Sequence, residues 1–310
     1  MSSLRLDGIH HITAITGDAP RNVDFYTRVL GLRLVAKTVN QDDPTVYHLF
    51  YADEHGDAGS DITFFEYPGA TPGRPGAGMV HRVVWQVGSP AAIDFWAGRL
   101  EELGVAFERA DGALVLADYE GLAHELVVAS VNEPLVAKHP DIPAEHALQG
   151  FLGVRAYSFD PAESARLLRE VMGAEETSPG NFELTRGKRR GFIAFDPAPD
   201  APGIQSGGSI HHVAWGTTAA EHPRWVEWLR ESGVRSTPVI DRHYFHSIYY
   251  REPGGVLYEI ADDAPGFAVD LPEAEFGTKI ILPPWLEERR AEVEARLTPL
   301  PDPRADWAVR

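Results

Sequence analysis

GIHHITAIT, running from Gly8 to Thr16, is answered far down the chain by SIHHVAWGT, from Ser209 to Thr217. Each stretch sets a small residue and an isoleucine before two adjacent histidines, then continues in apolar residues. Runs of that kind suit a strand in a half-buried sheet. Two strands with the same histidine pair at their heads point to an internal repeat, and the fold follows from locating the rest of it.

The repeat occurs four times. Strand-like runs open each unit at residues 9–15, 80–87, 152–159 and 210–216. A proline follows each run, at Pro20, Pro90, Pro161 and Pro223, where the first turn of a helix tolerates its missing N–H. Ser89 and Asp160 stand directly before their prolines as N-caps, and Asp160 with Glu163 spells a capping box. Gly31, Gly104, Gly173 and Gly233 then fall where a helix ends in a left-handed residue. Between these marks the apolar period is near 3.6, with Ile93, Trp96, Leu100 and Leu103 on one face of the second helix. Trp225, Trp228 and Leu229 do the same in the fourth, and Trp96, Trp225 and Trp228 are expected in the core. Short β-like runs close each unit, at 32–37, 47–52 and 61–67 in the first and at 248–251 and 256–261 in the fourth. Each unit therefore reads βαβββ. The expected class is α+β, with four βαβββ units forming two half-open barrels.

Pro- and Gly-rich loops divide the units at 67–78, 139–150 and 196–208. The expected domains are 1–145 and 146–280, two units each, followed by a tail, 281–310, with one amphipathic helix over 285–297. A length of 310 residues agrees with about two domains. The net charge of −18 argues against nucleic acid and anionic membranes as partners. With no cysteine, thiolate metal sites, disulfides and a Cys nucleophile are excluded, so His, Asp or Glu must hold any metal. MSSLRLDG has no apolar leader core and no run approaches membrane-spanning length, so the expected location is cytoplasmic.

A single unit cannot bury both faces of its sheet, but two units curled together line a cleft with alternate residues of their first and last strands. Units one and four together offer His10 or His11, His211 or His212, and Glu259. In unit one Thr63 or a phenylalanine falls near the place of Glu259, so no fourth ligand is evident; Glu66 reaches it only by a one-residue shift. Two imidazoles and one carboxylate with open positions suit a non-haem Fe(II) centre. Adjacent strand residues face opposite ways, so one histidine of each pair enters the cleft, and periodicity does not say which. Units two and three offer His81 and Glu125 but no histidine from unit three, and are expected to be a structural partner without metal.

With these histidines the repeat resembles the vicinal oxygen chelate superfamily, which includes glyoxalase I, extradiol dioxygenases and resistance proteins. Within it the chain is similar to ring-cleaving dioxygenases acting on hydroquinones. The matching segments span nearly the full length: HHITAITGDAPRNVDFYTRVLGLRLVAKTVNQDDPTVYHLFYADE, then IHHVAW, DRHYF, SIYYREPGGVLYE and LPPW. The resemblance implies a metal held by His11, His212 and Glu259, with His10, Thr13, His211, Arg242 and Tyr249 around it. DRHYFHSIYY departs from the family pattern in its length and in His243 and His246, which take no role from the resemblance. The implied chemistry is oxidative ring opening of a small aromatic diol by O₂ on Fe(II); the alternative metals are Mn, Zn or Ni, of which Zn and Ni go with a glyoxalase-like reaction. Tyr249 and one of His10 or His211 would hydrogen-bond the reacting oxygens, and Arg242 would neutralise developing charge.

Two other functions compete. A glyoxalase-like lyase or isomerase needs a fuller set of protein ligands. A protein that sequesters a toxic small molecule needs no such centre. A homo-oligomer is compatible with all three. His48, His55, His124, His139, His146 and His222 are expected to be ordinary polar positions.

Overall fold

The computed structural model describes residues 4–130, 133–186, 189–305 and 307. Unit one contributes β1 (Ile9–Thr16), α1 (Ala19–Asp24), β2 (Arg33–Val39), β3 (Tyr47–Ala52) and β4 (Asp61–Glu66). Unit two contributes β5 (Met79–Val87), α2 (Pro90–Glu102), β6 (Phe107–Ala110), β7 (Ala113–Ala117) and β8 (Ala123–Val128). Unit three gives β9 (Phe151–Tyr157), α3 (Pro161–Arg166), β10 (Glu175–Ser178), β11 (Asn181–Arg186) and β12 (Arg189–Phe195). Unit four gives β13 (Ser209–Gly216), α4 (His222–Glu231), β14 (Ile240–Asp241), β15 (His246–Arg251) and β16 (Leu257–Ala261). The helix starts follow the sequence: Asp18, Ser89 and Asp160 side chains accept from Arg21, Ala92 and Glu163 N–H. Only half of the expected capping box forms, because Glu163 pairs with Arg166 instead of reaching back. All four helix-ending glycines have φ between +68° and +78°.

The strands make two eight-stranded sheets, ordered β14-β15-β16-β13-β1-β4-β3-β2 and β10-β11-β12-β9-β5-β8-β7-β6. Each is two units joined through their first strands, antiparallel: unit one with unit four, unit two with unit three. One apolar core with residues of both sheets includes the buried Trp85, Trp96, Trp215 and Trp225. Each such ring contributes on the order of 3 kcal/mol by leaving water. Trp228 does not join them: it is 37 % exposed, and its indole N–H donates to Val171 O in the helical segment of unit three. The tail forms a 3₁₀ turn, Pro284–Arg289, and a short helix α5, Arg290–Glu294, not one helix over 285–297. The Glu287–Arg290 pair is spaced three apart, which the three-residue turn brings into line. Among the described residues, no helix is long and apolar enough to cross a membrane.

One departure from regular pairing matters for function. Where β1 meets β13 the register jumps between Ile9 and His11, and again opposite Thr13 and Ala14, whose partners are His212 and Ile210. The residues skipped are His10 and His211, the first of each pair. A β-bulge adds one residue to one strand and re-aims its side chain. The β5–β9 seam has the same shifts, with His81 and Leu152 skipped.

Candidate metal centre

β1 brings in His11, β13 His212 and β16 Glu259; the three ligand atoms lie within 4.8 Å of one another and all three residues are buried. Glu259 Oε2 is 3.2 Å from His11 Nε2 and 2.9 Å from His212 Nε2, and the two Nε2 atoms are 3.4 Å apart. Burial alone would lift the Glu259 carboxyl, but His11 and His212 hold it well below the ordinary carboxylate range. Its Oε2 is left without a hydrogen bond, while Oε1 accepts from Ser247 Oγ. A buried anionic oxygen with no hydrogen bond, facing two imidazole nitrogens, is the donor set of a divalent cation, and these residues fit one. Thr63 stands in β4 where Glu259 stands in β16, beside Thr13 as Glu259 is beside Ala214. A neutral hydroxyl there leaves the carboxylate set at one. Glu66 is elsewhere: its Oε1 accepts from Ala19 N at the start of α1.

The bulges settle the orientation of each pair. His10 Nδ1 lies 2.9 Å from His11 Nδ1, and His211 Nδ1 lies 2.8 Å from His212 Nδ1. If Nε2 of His11 and His212 faces a cation, their Nδ1 carries the proton and donates to the neighbour, whose own proton is then on Nε2. His10 Nε2 meets Asp262 O at 3.1 Å. His211 lines the cleft with His212, so here both members of a pair face it, against the one-in, one-out expectation. His10 instead lines a second cavity of about 640 Å³, beside Asp61 and Asp263. Burial pushes His211 down to about 3, so it is a neutral imidazole at pH 7.

The cleft holds about 370 Å³ and is walled by the rings of Phe50, Phe65, Tyr244, Phe245 and Tyr249. Thr13 also lines it, with its hydroxyl 2.8 Å from that of Thr63. Arg242 Nε donates to Tyr249 OH at 3.3 Å, and its Nη1 pairs with Asp42 at 3.1 Å. Sequence reading missed His48, which lines the cleft and meets Thr63 Oγ1 at 2.9 Å. Alternation along β3 puts His48 and Phe50 on one face, a signal the sequence carried. It also missed Asp61, a buried carboxyl with Oδ1 unpartnered, pushed up to about 7 by burial, and Pro283, by which the tail reaches the cleft.

Among the described residues, the second sheet has no such centre. His81, skipped by its bulge, stacks on Tyr157 and meets Asp196 at 3.0 Å, away from Glu125. The strand register sets Arg82, not His81, at the place of His212.

Known proteins share this fold. A model described as Glyoxalase/Bleomycin resistance protein/Dioxygenase superfamily matches residues 8–117 and 151–260. MhqE of Bacillus subtilis (strain 168), whose name places it among ring-cleaving dioxygenases, is 37 % identical over 94 % of this chain and 98 % of its own. A protein of Sphingobium indicum named chlorohydroquinone/hydroquinone 1,2-dioxygenase is 28 % identical over 93 % of this chain and 95 % of its own. A crystal structure from Bacillus subtilis, described as that of a dioxygenase, superposes with TM-score 0.90 at 36 % identity, covering 96 % of this chain and 98 % of that one. Glyoxalase I from Zea mays matches at TM-score 0.57 and 15 % identity over 83 % of this chain and 92 % of its own, a likeness of fold alone.

Proposed function

The chain belongs to the Glyoxalase/Bleomycin resistance protein/Dioxygenase superfamily, and from that premise we propose that it is a metal-dependent ring-cleaving dioxygenase that opens a hydroquinone-type diol with O₂. The observation that carries this reading is the buried Glu259 Oε2, lacking a hydrogen bond and facing His11 and His212 on the wall of a ring-lined cleft. A cavity of about 150 Å³ takes a benzene, so the present one has room for a substituted ring and a gas molecule. Ferrous ion is the metal proposed, held by His11, His212 and Glu259; it would bring a phenolic oxygen and O₂ together and carry electrons between them.

The protein's own groups prepare that encounter. His10 and His211 fix the ring orientation of the two ligand histidines through Nδ1. With its Nδ1 occupied, His211 offers an Nε2–H to an oxygen in the cleft. Tyr249 keeps its phenolic proton, because burial raises its pKa, and it is a donor poised by Arg242. The Arg242 guanidinium sets a positive charge near any oxygen that gains negative charge. Thr13, through Thr63, extends a hydrogen-bonded row to His48. Burial holds His48 well below its ordinary range, and it stays neutral. The aromatic walls exclude water from the ring.

A lyase or isomerase of the glyoxalase type is disfavoured by Thr63, which stands where a second carboxylate would complete the ligand set. The deciding experiment loads the protein anaerobically with Fe(II) and follows oxygen uptake with hydroquinone, methylhydroquinone and catechol. One O₂ consumed per diol, with loss of the aromatic absorbance, is expected. No uptake with any of the three, at one bound iron per chain, overturns the reading.

A further inference from the structure

The turn between β14 and β15 carries a side chain for which the roles above have no use. His243 lines the same cleft as His11 and His212. Its backbone sits at φ +73°, a left-handed conformation uncommon for a residue with a β-carbon. The turn is enforced from both sides: His243 N–H donates to Asp241 Oδ1 at 2.8 Å, and Arg242 N–H donates to Phe245 O at 2.9 Å. Asp270 then meets His243 Nε2 with both carboxylate oxygens, at 2.9 and 2.8 Å. A carboxylate on Nε2 draws the ring proton there and leaves Nδ1 as an acceptor. Nδ1 takes no hydrogen bond among the described residues. An ion pair serving only to tie the turn to the segment after β16 requires neither a strained backbone nor a place on the cleft wall.

His243 also stands apart from the metal ligands. Its ring neighbours are Tyr244 at 5.0 Å and Trp285 of the tail at 6.5 Å. Phe245, two residues on, is the ring that packs on His11, at 4.7 Å. The cleft wall thus carries the metal ligands and, on a separate turn, an oriented acceptor, with the Phe245 ring packed on His11. When one hydroxyl of a diol is held at the metal, an adjacent hydroxyl stays beside it, whereas one on the opposite carbon is carried to the far side of the ring.

We propose that the His243–Asp270 pair accepts the hydrogen bond of the substrate hydroxyl turned away from the metal, and so selects para-diols over ortho-diols. The proposal rests on the ring-cleaving reading above and names the group that sets its substrate class.

Two measurements on the full chain test it. The variants are His243→Asn, since asparagine tolerates a left-handed backbone and keeps the turn, and Asp270→Asn, which leaves the ring unanchored. In the Fe(II) protein, the preference in kcat/KM for hydroquinone over catechol falls about tenfold in His243→Asn, the worth of one hydrogen bond, at unchanged metal content; Asp270→Asn lowers it in the same direction. In the Co(II)-loaded protein under anaerobic conditions, spectral titration shows hydroquinone binding about tenfold more tightly than phenol, which lacks the second hydroxyl. That advantage disappears in His243→Asn. An unchanged preference, or equal binding of hydroquinone and phenol to the unaltered protein, overturns the proposal. If no diol drives oxygen uptake, the dioxygenase reading falls, and the binding titration still decides the role of His243.

Discussion

Glu259 lies beside Ala214 in one sheet, and Glu125 beside Val84 in the other, at the same step of the same strand plan. The surroundings differ completely. Around Glu259 stand His212 and His11, with Thr13 across the seam. The matching places around Glu125 hold Arg82, Gly153 and Arg155. Arg82 and Arg155 reach Glu125 Oε2 at 3.1 and 2.8 Å, and a β-carbon on Gly153 would come within 2.5 Å of the Phe192 ring. One sheet leaves a buried carboxylate for an external cation; the other supplies fixed cations and fills the ligand's place with a ring. A carboxylate at this step requires a positive partner, and the source of that partner separates a reactive cleft from a scaffold.

The largest expected effect breaks the comparison at the ligands. His212→Ala loses bound metal and oxygen uptake together, whereas Arg82→Ala keeps full metal; elemental analysis of the two reconstituted variants reads this directly. Next, Arg82→Met with Arg155→Met strands Glu125 and lowers unfolding free energy by about 3 kcal/mol in urea titrations. Adding Glu125→Leu recovers most of that loss, and metal content is unchanged throughout. Third, Tyr249→Phe retains metal and loses about a hundredfold in turnover, measured by oxygen uptake. A smaller effect follows Thr63→Val, which cuts the link between Thr13 and His48 and costs about 1 kcal/mol of stability or binding. The smallest concerns pH. Burial would raise the Glu125 carboxyl, but Arg155 and Arg82 hold it below its ordinary 4.5. A depressed carboxylate stabilises fully above its unfolded pKa and loses that contribution as pH falls through the folded one. The stability gap between the unaltered protein and Glu125→Gln therefore narrows from pH 7 to pH 3, and a gap that widens contradicts the pairing.

Repetition made most of this legible in the sequence. Four prolines and four glycines at matching places marked the units, and the histidine pairs with Glu259 marked the cleft, because identical backbone positions impose identical residue demands. What stayed hidden depends on counts of one residue. Alternation allows one histidine of each pair inward, but the bulges at His10 and His211 reset the face, so His211 shares the cleft with His212. The same offset placed Arg82, not His81, against Glu125. Alternation set His48 on one face with Phe50, but strand order decides that this face meets the cleft, and Pro283 arrives by tail docking, which no local pattern encodes. Trp228 was assigned to the core by its period, yet the helix presents it to a neighbouring unit, where its N–H finds a carbonyl.

The pairing of the outermost units also has a history in time. His11 and His212 are 201 positions apart, so at about 5–20 residues per second a ribosome delivers the second roughly 10–40 s after the first. During that interval β1 waits with an open edge, the situation in which strands recruit wrong partners. Units two and three are complete before β13 is made and can close their sheet first, as a template on which the newest segment docks. A chain terminated before β13 carries one of the three candidate ligands and lacks the set that would hold a metal. Maturation of the centre thereby doubles as a check that translation reached its last quarter.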